Sequence, residues 1–177
     1  MKFIPWAKPS LNKIDKKFLI KSFDSNWISG GYYVDKLEKD FAKFLRSKKT
    51  LTVNNCTSAI HIIYLALKLK KGDEIILPAY GYMAASNIAL QLGLKPVFVD
   101  VNSETFCIDV TKIRKRITKK TKLIVAINTY GNICDFNDLK KISKETGVLV
   151  LEDAAESLGS TFKNKQSGTF GDFGTFS

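Results

Sequence analysis

The sequence has 177 residues, of which 45% are hydrophobic and 25% charged, enough for one substantial core. It holds a single histidine, and Cys56, Cys107 and Cys134 are scattered without a CxxC pair, so neither a disulfide framework nor a zinc site is expected. The formal net charge is +11, and seven basic residues crowd between Lys112 and Lys122. No nucleic-acid motif accompanies that run, and Ile113 and Ile117 give it amphipathic spacing, so it reads as a solvated helix face with no nucleic-acid partner. Nowhere is there an apolar run of signal-peptide or membrane-spanning length, which predicts a soluble, cytoplasmic protein with no membrane partner.

Residues 1–10 carry Pro5 and Pro9 and predict an extended arm, after which Ser10 could cap a helix. Leu11, Ile14, Phe18 and Leu19 recur near helical spacing, as do Val34, Leu37, Phe41, Phe44 and Leu45. Between the two helices, Gly30 and Gly31 mark a turn. Trp27, Tyr32 and Tyr33 beside it form either an aromatic wall for a ligand or a helix-packing cluster. From Thr50 the pattern alternates between strands and helices, the signature of a doubly wound parallel sheet. Strands are expected at 50–54, 74–78, 96–101, 122–128 and 148–152, with helices near 57–70, 83–91, 109–118 and 135–146. The chain thus divides into an N-terminal arm and helices, 1–49, and an α/β region, 50–177.

Three stretches could carry chemistry. In NNCTSAIH, Thr57 and Ser58 sit where a strand end passes into an apolar helix; such a helix start is suited to a phosphate, though Thr and Ser are also ordinary helix caps. In LPAYGYMAASN, Tyr80 and Tyr82 emerge past a strand end, where a ring can stack on a planar ligand. In VLVLEDAAESLGS a buried strand ends on Glu152 and Asp153, at the edge where open α/β sheets bind ligands. Strand alternation gives Glu152 the opposite face and a structural role. Asp153 could hold a proton on a heteroaromatic nitrogen or simply cap a helix. The glycines at 168, 171 and 174 neither follow a strand nor open a helix, so they form no dinucleotide fingerprint; they predict a tight turn feeding a strand.

In this order, WISGGYYVDKLEKDFAKFL, NNCTSAIH, GDEIILPAYGYMAASN, PVFVDVNSETFCID, INTYGNICDFNDL and VLEDAAESLGSTFKNKQSGTFGDFGTFS resemble the DegT/StrS family of pyridoxal-phosphate sugar aminotransferases. The resemblance implies an aspartate aminotransferase-like α/β fold, whose mostly parallel sheet is flanked by helices, and a homodimer. It implies pyridoxal 5'-phosphate as cofactor, with Thr57, Ser58 and Ser177 at its phosphate, Tyr82 on its ring, Asp153 at its nitrogen and Glu156 near its ring oxygen. Trp27, Gly30 and Tyr32 are the implied substrate-binding residues. The implied reaction moves an amino group, glutamate being the expected donor, to a nucleotide-linked 4-keto-6-deoxy sugar for cell-surface polysaccharide synthesis. TFCID and YGNICDFN are most similar to perosamine synthases. The family's Schiff-base lysine lies five residues beyond the serine matched by Ser177, where the sequence ends, so no residue here is assigned as catalytic. A sugar dehydratase of the same family and an inactive remnant are the alternatives, and a chain of this extent is expected to fold poorly or associate.

Overall fold

The structure, a computed structural model, describes residues 3–5, 8–27 and 29–177. Of the arm expected at 1–10, residues 1, 2, 6 and 7 lie outside the described residues; the rest carry no helix or strand. Two compact units follow one another, Met1–Thr52 and Val53–Ser177.

In the first unit, helix α1 spans Lys13–Asp24 and α2 spans Tyr32–Leu45. The cap of α1 is Asn12 rather than Ser10. The Asn12 side chain accepts from the Ile14 amide at 2.7 Å, and the Asp15 carboxylate accepts from the Asn12 amide at 2.7 Å, a reciprocal box that Ser10 cannot complete. The strand expected at 50–54 does not form. Glu38 of α2 takes its donors instead: Thr50 Oγ1 donates to the Glu38 carbonyl at 2.6 Å, and the Thr52 amide donates to Glu38 Oε1 at 2.7 Å. Thr52's backbone N–H is therefore not available to a sheet ladder.

The second unit is a five-stranded sheet in the order β2-β1-β3-β4-β7, parallel throughout. Its strands are β1 (Glu74–Pro78), β2 (Lys95–Val99), β3 (Thr121–Ile127), β4 (Leu149–Asp153) and β7 (Phe173–Thr175). A small hairpin, β5 (Thr161–Phe162) with β6 (Lys165–Gln166), precedes β7. Helices α3 (Cys56–Ala66) and α4 (Ala84–Gln91) cover one face through Ile60, Tyr64, Ala85 and Ile88, which pack on Ile75, Leu77, Leu123, Val125 and Leu151. On the other face α5 (Val110–Ile113) and α6 (Phe136–Thr146) bring Ile113, Phe136, Leu139 and Ile142 to Ile76, Ile124, Ala126 and Val150. The apolar runs of these strands are continuous because both faces are covered.

The helix expected over 109–118 is shorter, with α5 passing into a 3-10 turn at Arg114–Arg116. Thr118 ends it by donating its hydroxyl to Glu74 at 2.6 Å, which anchors the start of β1 together with Lys95. Part of the basic run is neutralised locally: Lys112 pairs with Asp100 and Asp109, and Arg114 with Glu145. Among the described residues no helix is long and apolar enough to cross a membrane.

Strand β4 is tied to the glycine-rich segment before β7 by Glu152, which is wholly buried. Its Oε1 accepts from the Asn128 side-chain amide at 2.8 Å and the Gly168 amide at 2.6 Å, and its Oε2 from the Phe170 amide at 2.6 Å and the Gly171 amide at 3.3 Å. The turn that follows packs backbone on backbone, so that a Cβ on Gly174 would collide with the Gly168 carbonyl. Truncating the carboxylate strands these buried donors. Glu152→Ala is expected to lower the unfolding free energy by roughly 3–5 kcal/mol, read as a fall in the urea midpoint.

Candidate active site

The site residues of the second unit gather at the carboxyl edge of the parallel sheet. Asp153 closes β4 on the face opposite Glu152 and is 4% exposed. Its Oδ1 accepts from the Ala155 amide at 3.1 Å and from the Cys56 thiol at 3.6 Å. The amide bond closes a local turn and no helix follows, so Asp153 is not a helix cap. Burial raises its carboxyl above the usual aspartate range, partly offset by those two donors. Burial first, then the Asp153 charge, push the Cys56 thiol up to about 12, which leaves it a hydrogen-bond donor rather than a nucleophile.

Cys56 is the first residue of α3, so its bond to Asp153 sets the start of that helix beside the end of β4. The cap of α3 is Asn55, whose side chain accepts from the Ser58 amide at 2.8 Å. Capping therefore does not use Thr57 or Ser58, and neither hydroxyl makes a hydrogen bond to another described residue. Thr175 sits opposite Asp153 in the β4–β7 register, 2% exposed, its Oγ1 near the Cys56 thiol but without a partner at hydrogen-bonding geometry. Ser177 is exposed two residues past it. Tyr82, 75% exposed, follows the end of β1 beyond Gly81.

Glu156 is exposed, and its Oε2 accepts from the Tyr130 amide at 2.7 Å. Tyr130 joins Tyr80 and Phe106 in an aromatic cluster with centroids 5.6–6.4 Å apart, the two tyrosine hydroxyls 2.6 Å from one another. The sequence singled out Tyr80 but neither Phe106 nor Tyr130, and no periodicity marks them. Nor did it single out Cys56 or Thr175 as neighbours of Asp153. Trp27, Gly30 and Tyr32 belong to the first unit. There Gly31 has φ +76°, and a Cβ on it would meet the Trp27 indole nitrogen at 2.6 Å, so glycine is required for that ring to lie against the turn.

The donor set suits a phosphorylated heteroaromatic ring. The start of α3 offers free hydroxyls and the positive end of the helix dipole to a phosphate. Among the described residues the buried Asp153 carboxylate has no cationic partner, which suits a protonated ring nitrogen, and the buried Thr175 hydroxyl on the same face has no partner at hydrogen-bonding geometry.

A parallel sheet flanked by helices in this order is the fold of the pyridoxal-phosphate-dependent aminotransferases. The chain belongs to the DegT/DnrJ/EryC1/StrS aminotransferase family, whose model matches residues 9–177. It is 40% identical over 175 residues to a GDP-perosamine synthase of Vibrio cholerae, covering 98% of this chain and 48% of that protein. To the GDP-perosamine synthase of Escherichia coli O157:H7 it is 41% identical over 178 residues, covering 100% and 49%. The chain thus spans about half the length of the curated relatives it matches. Among solved structures, the E. coli GDP-4-keto-6-deoxy-D-mannose-3-dehydratase with bound hydrated PLP superposes with a TM-score of 0.91 at 36% identity, covering 97% of this chain and 46% of that one.

Because burial raises the folded carboxyl of Asp153, its ionisation opposes folding. That penalty is absent below the unfolded aspartate value of about 3.9 and is complete above the raised folded value. Asp153→Asn keeps an acceptor oxygen for Ala155 and Cys56 but carries no charge. In the absence of any ligand it is expected to melt higher than the parent at pH 7, with the gap closing as the pH falls below the ordinary aspartate range.

Proposed function

We propose that this chain supplies the cofactor-holding part of an aminotransferase that transfers an amino group from an amino acid, glutamate in this reading, to a GDP-linked 4-keto-6-deoxy sugar for cell-surface polysaccharide synthesis. The observation that carries the reading is the buried carboxylate of Asp153, without a cationic partner among the described residues and held by Cys56 against the start of α3. The names of the Vibrio and E. coli relatives support the sugar. In this reading the full-length form is a cytoplasmic homodimer, which rests on the family.

Pyridoxal 5'-phosphate, when bound, supplies an electron sink for charge developing on the substrate carbon. Asp153 would hold a proton at the ring nitrogen, and its burial strengthens that bond by excluding water. Thr57, Ser58 and Ser177 would bind the phosphate, Tyr82 would cover one ring face, and Glu156, braced by the Tyr130 amide, would lie near the ring oxygen. Trp27, Gly30 and Tyr32 would contact the sugar substrate. No lysine of this chain is assigned a proton-transfer role. The likeness to a 3-dehydratase favours a second reading, loss of a hydroxyl from the same class of sugar, on the same holding residues.

Mixed with pyridoxal 5'-phosphate and passed through gel filtration, the chain is expected to retain the cofactor's absorbance. Asp153→Ala should abolish retention, and Thr57→Ala should weaken it by about tenfold. Equal retention by all three proteins, or none by the parent, would overturn the reading.

A further inference from the structure

The face of β4 opposite Asp153 carries a second cavity, of about 260 Å³, bounded by α6, β6 and the segment Thr169–Asp172. Its floor is aromatic: Phe136 and Phe170 stack with centroids 5.2 Å apart and planes 16° apart. Its walls are basic, with Lys140 and Lys144 from α6 and Lys165 from β6, whose Nζ stands 5.0 Å above the Phe170 ring. None of the three lysines has a carboxylate within ion-pair distance among the described residues, whereas the neighbouring Lys141 is neutralised by Asp138 at 2.7 Å. The acids nearby are already engaged. Asp172, the one carboxylate of the lining, accepts from the Val150 amide at 2.8 Å, and Glu152 is spent on the loop amides. Burial, and next the charge of Lys140, push the Lys165 ammonium below the usual lysine range, with the charge of Glu152 opposing them in part, so the two lysines of this lining repel one another.

We propose that this cavity is a binding site for a small phosphorylated anion, separate from the Asp153 site. An oxyanion between Lys140 and Lys165 relieves their repulsion and gains charge-assisted hydrogen bonds, with Lys144 at the rim. The stacked phenylalanines offer an apolar floor to the carbon skeleton of an ester. A volume near the lower end for ligand pockets suits one phosphoryl group with a single sugar-sized ring, not a dinucleotide. The segment that would register binding, Thr169–Asp172, is the one that Glu152 ties to β4, so a ligand would be sensed on a strand whose other face holds Asp153.

The test is an amide-resolved NMR titration of the intact chain with inorganic phosphate and, separately, with glucose 1-phosphate. Shifts are expected at Lys165 and at Thr169–Asp172, and Lys140→Gln or Lys165→Gln should each weaken binding by about tenfold, while Lys119→Gln, a bulk-charge control, should leave it unchanged. Tighter binding of the ester identifies a phosphorylated sugar as the ligand class, and equal binding identifies the phosphoryl group alone. Both lysines are exposed, so the variants should melt like the parent. Shifts confined to Thr57–Ala59 would overturn this site while leaving the cofactor reading intact. Absence of shifts at millimolar ligand, or equal weakening by Lys119→Gln, would also overturn it.

Discussion

The constraint on which the second unit depends is the burial of the Glu152 carboxylate. A fully buried anion is tolerated only when its oxygens are occupied by donors of fixed geometry. Here those donors are the Asn128 side chain and amides of the chain between Gly168 and Gly171. The hairpin and the glycine turn are therefore held by one side chain on β4, and β7 enters the sheet in the register that sets Thr175 against Asp153. A segment with only two- and three-residue strands has little ladder of its own; the carboxylate supplies the order that ladder length does not.

Two successive acids consequently do opposite things. Strand pleating sends Glu152 to the α6 face and Asp153 to the α3 face. Glu152 is saturated with strong donors and serves the fold. Asp153 receives one amide and one thiol, a weak donor, and remains electrostatically unfinished. The same sheet thus stores an unmet demand for positive charge next to a demand already met, and the site lies on the side of the unmet one.

The parallel sheet was legible because strands covered on both faces must be apolar throughout, and the runs at 74–78, 122–128 and 148–152 lie within a residue or so of β1, β3 and β4. The features that were not legible are tertiary. Glu38 captures Thr52 across 14 residues and cancels a strand that local propensity favours, and Glu74 captures Thr118 across 44 and shortens a helix. The hairpin turn at Lys163 and Asn164, both at positive φ, is carried by a lysine that gives no turn signal. At the candidate site, Thr57, Ser58, Tyr82 and Asp153 were found from their places at element ends. Cys56 and Thr175 were not, because Cys56 lies 97 positions from Asp153 and Thr175 meets it only through the pairing of β4 with β7.

One detail at the start of α3 reaches beyond geometry. Helix starts that bind anions commonly ask one hydroxyl both to close the helix and to meet the ligand, so that tightening either function disturbs the other. Here Asn55 closes the helix, and the two hydroxyls after it make no hydrogen bond to another described residue. Under the proposed function, helix integrity and phosphate recognition are then separate heritable traits. Residues 57 and 58 could drift toward other phosphorylated partners without unravelling the helix that presents them.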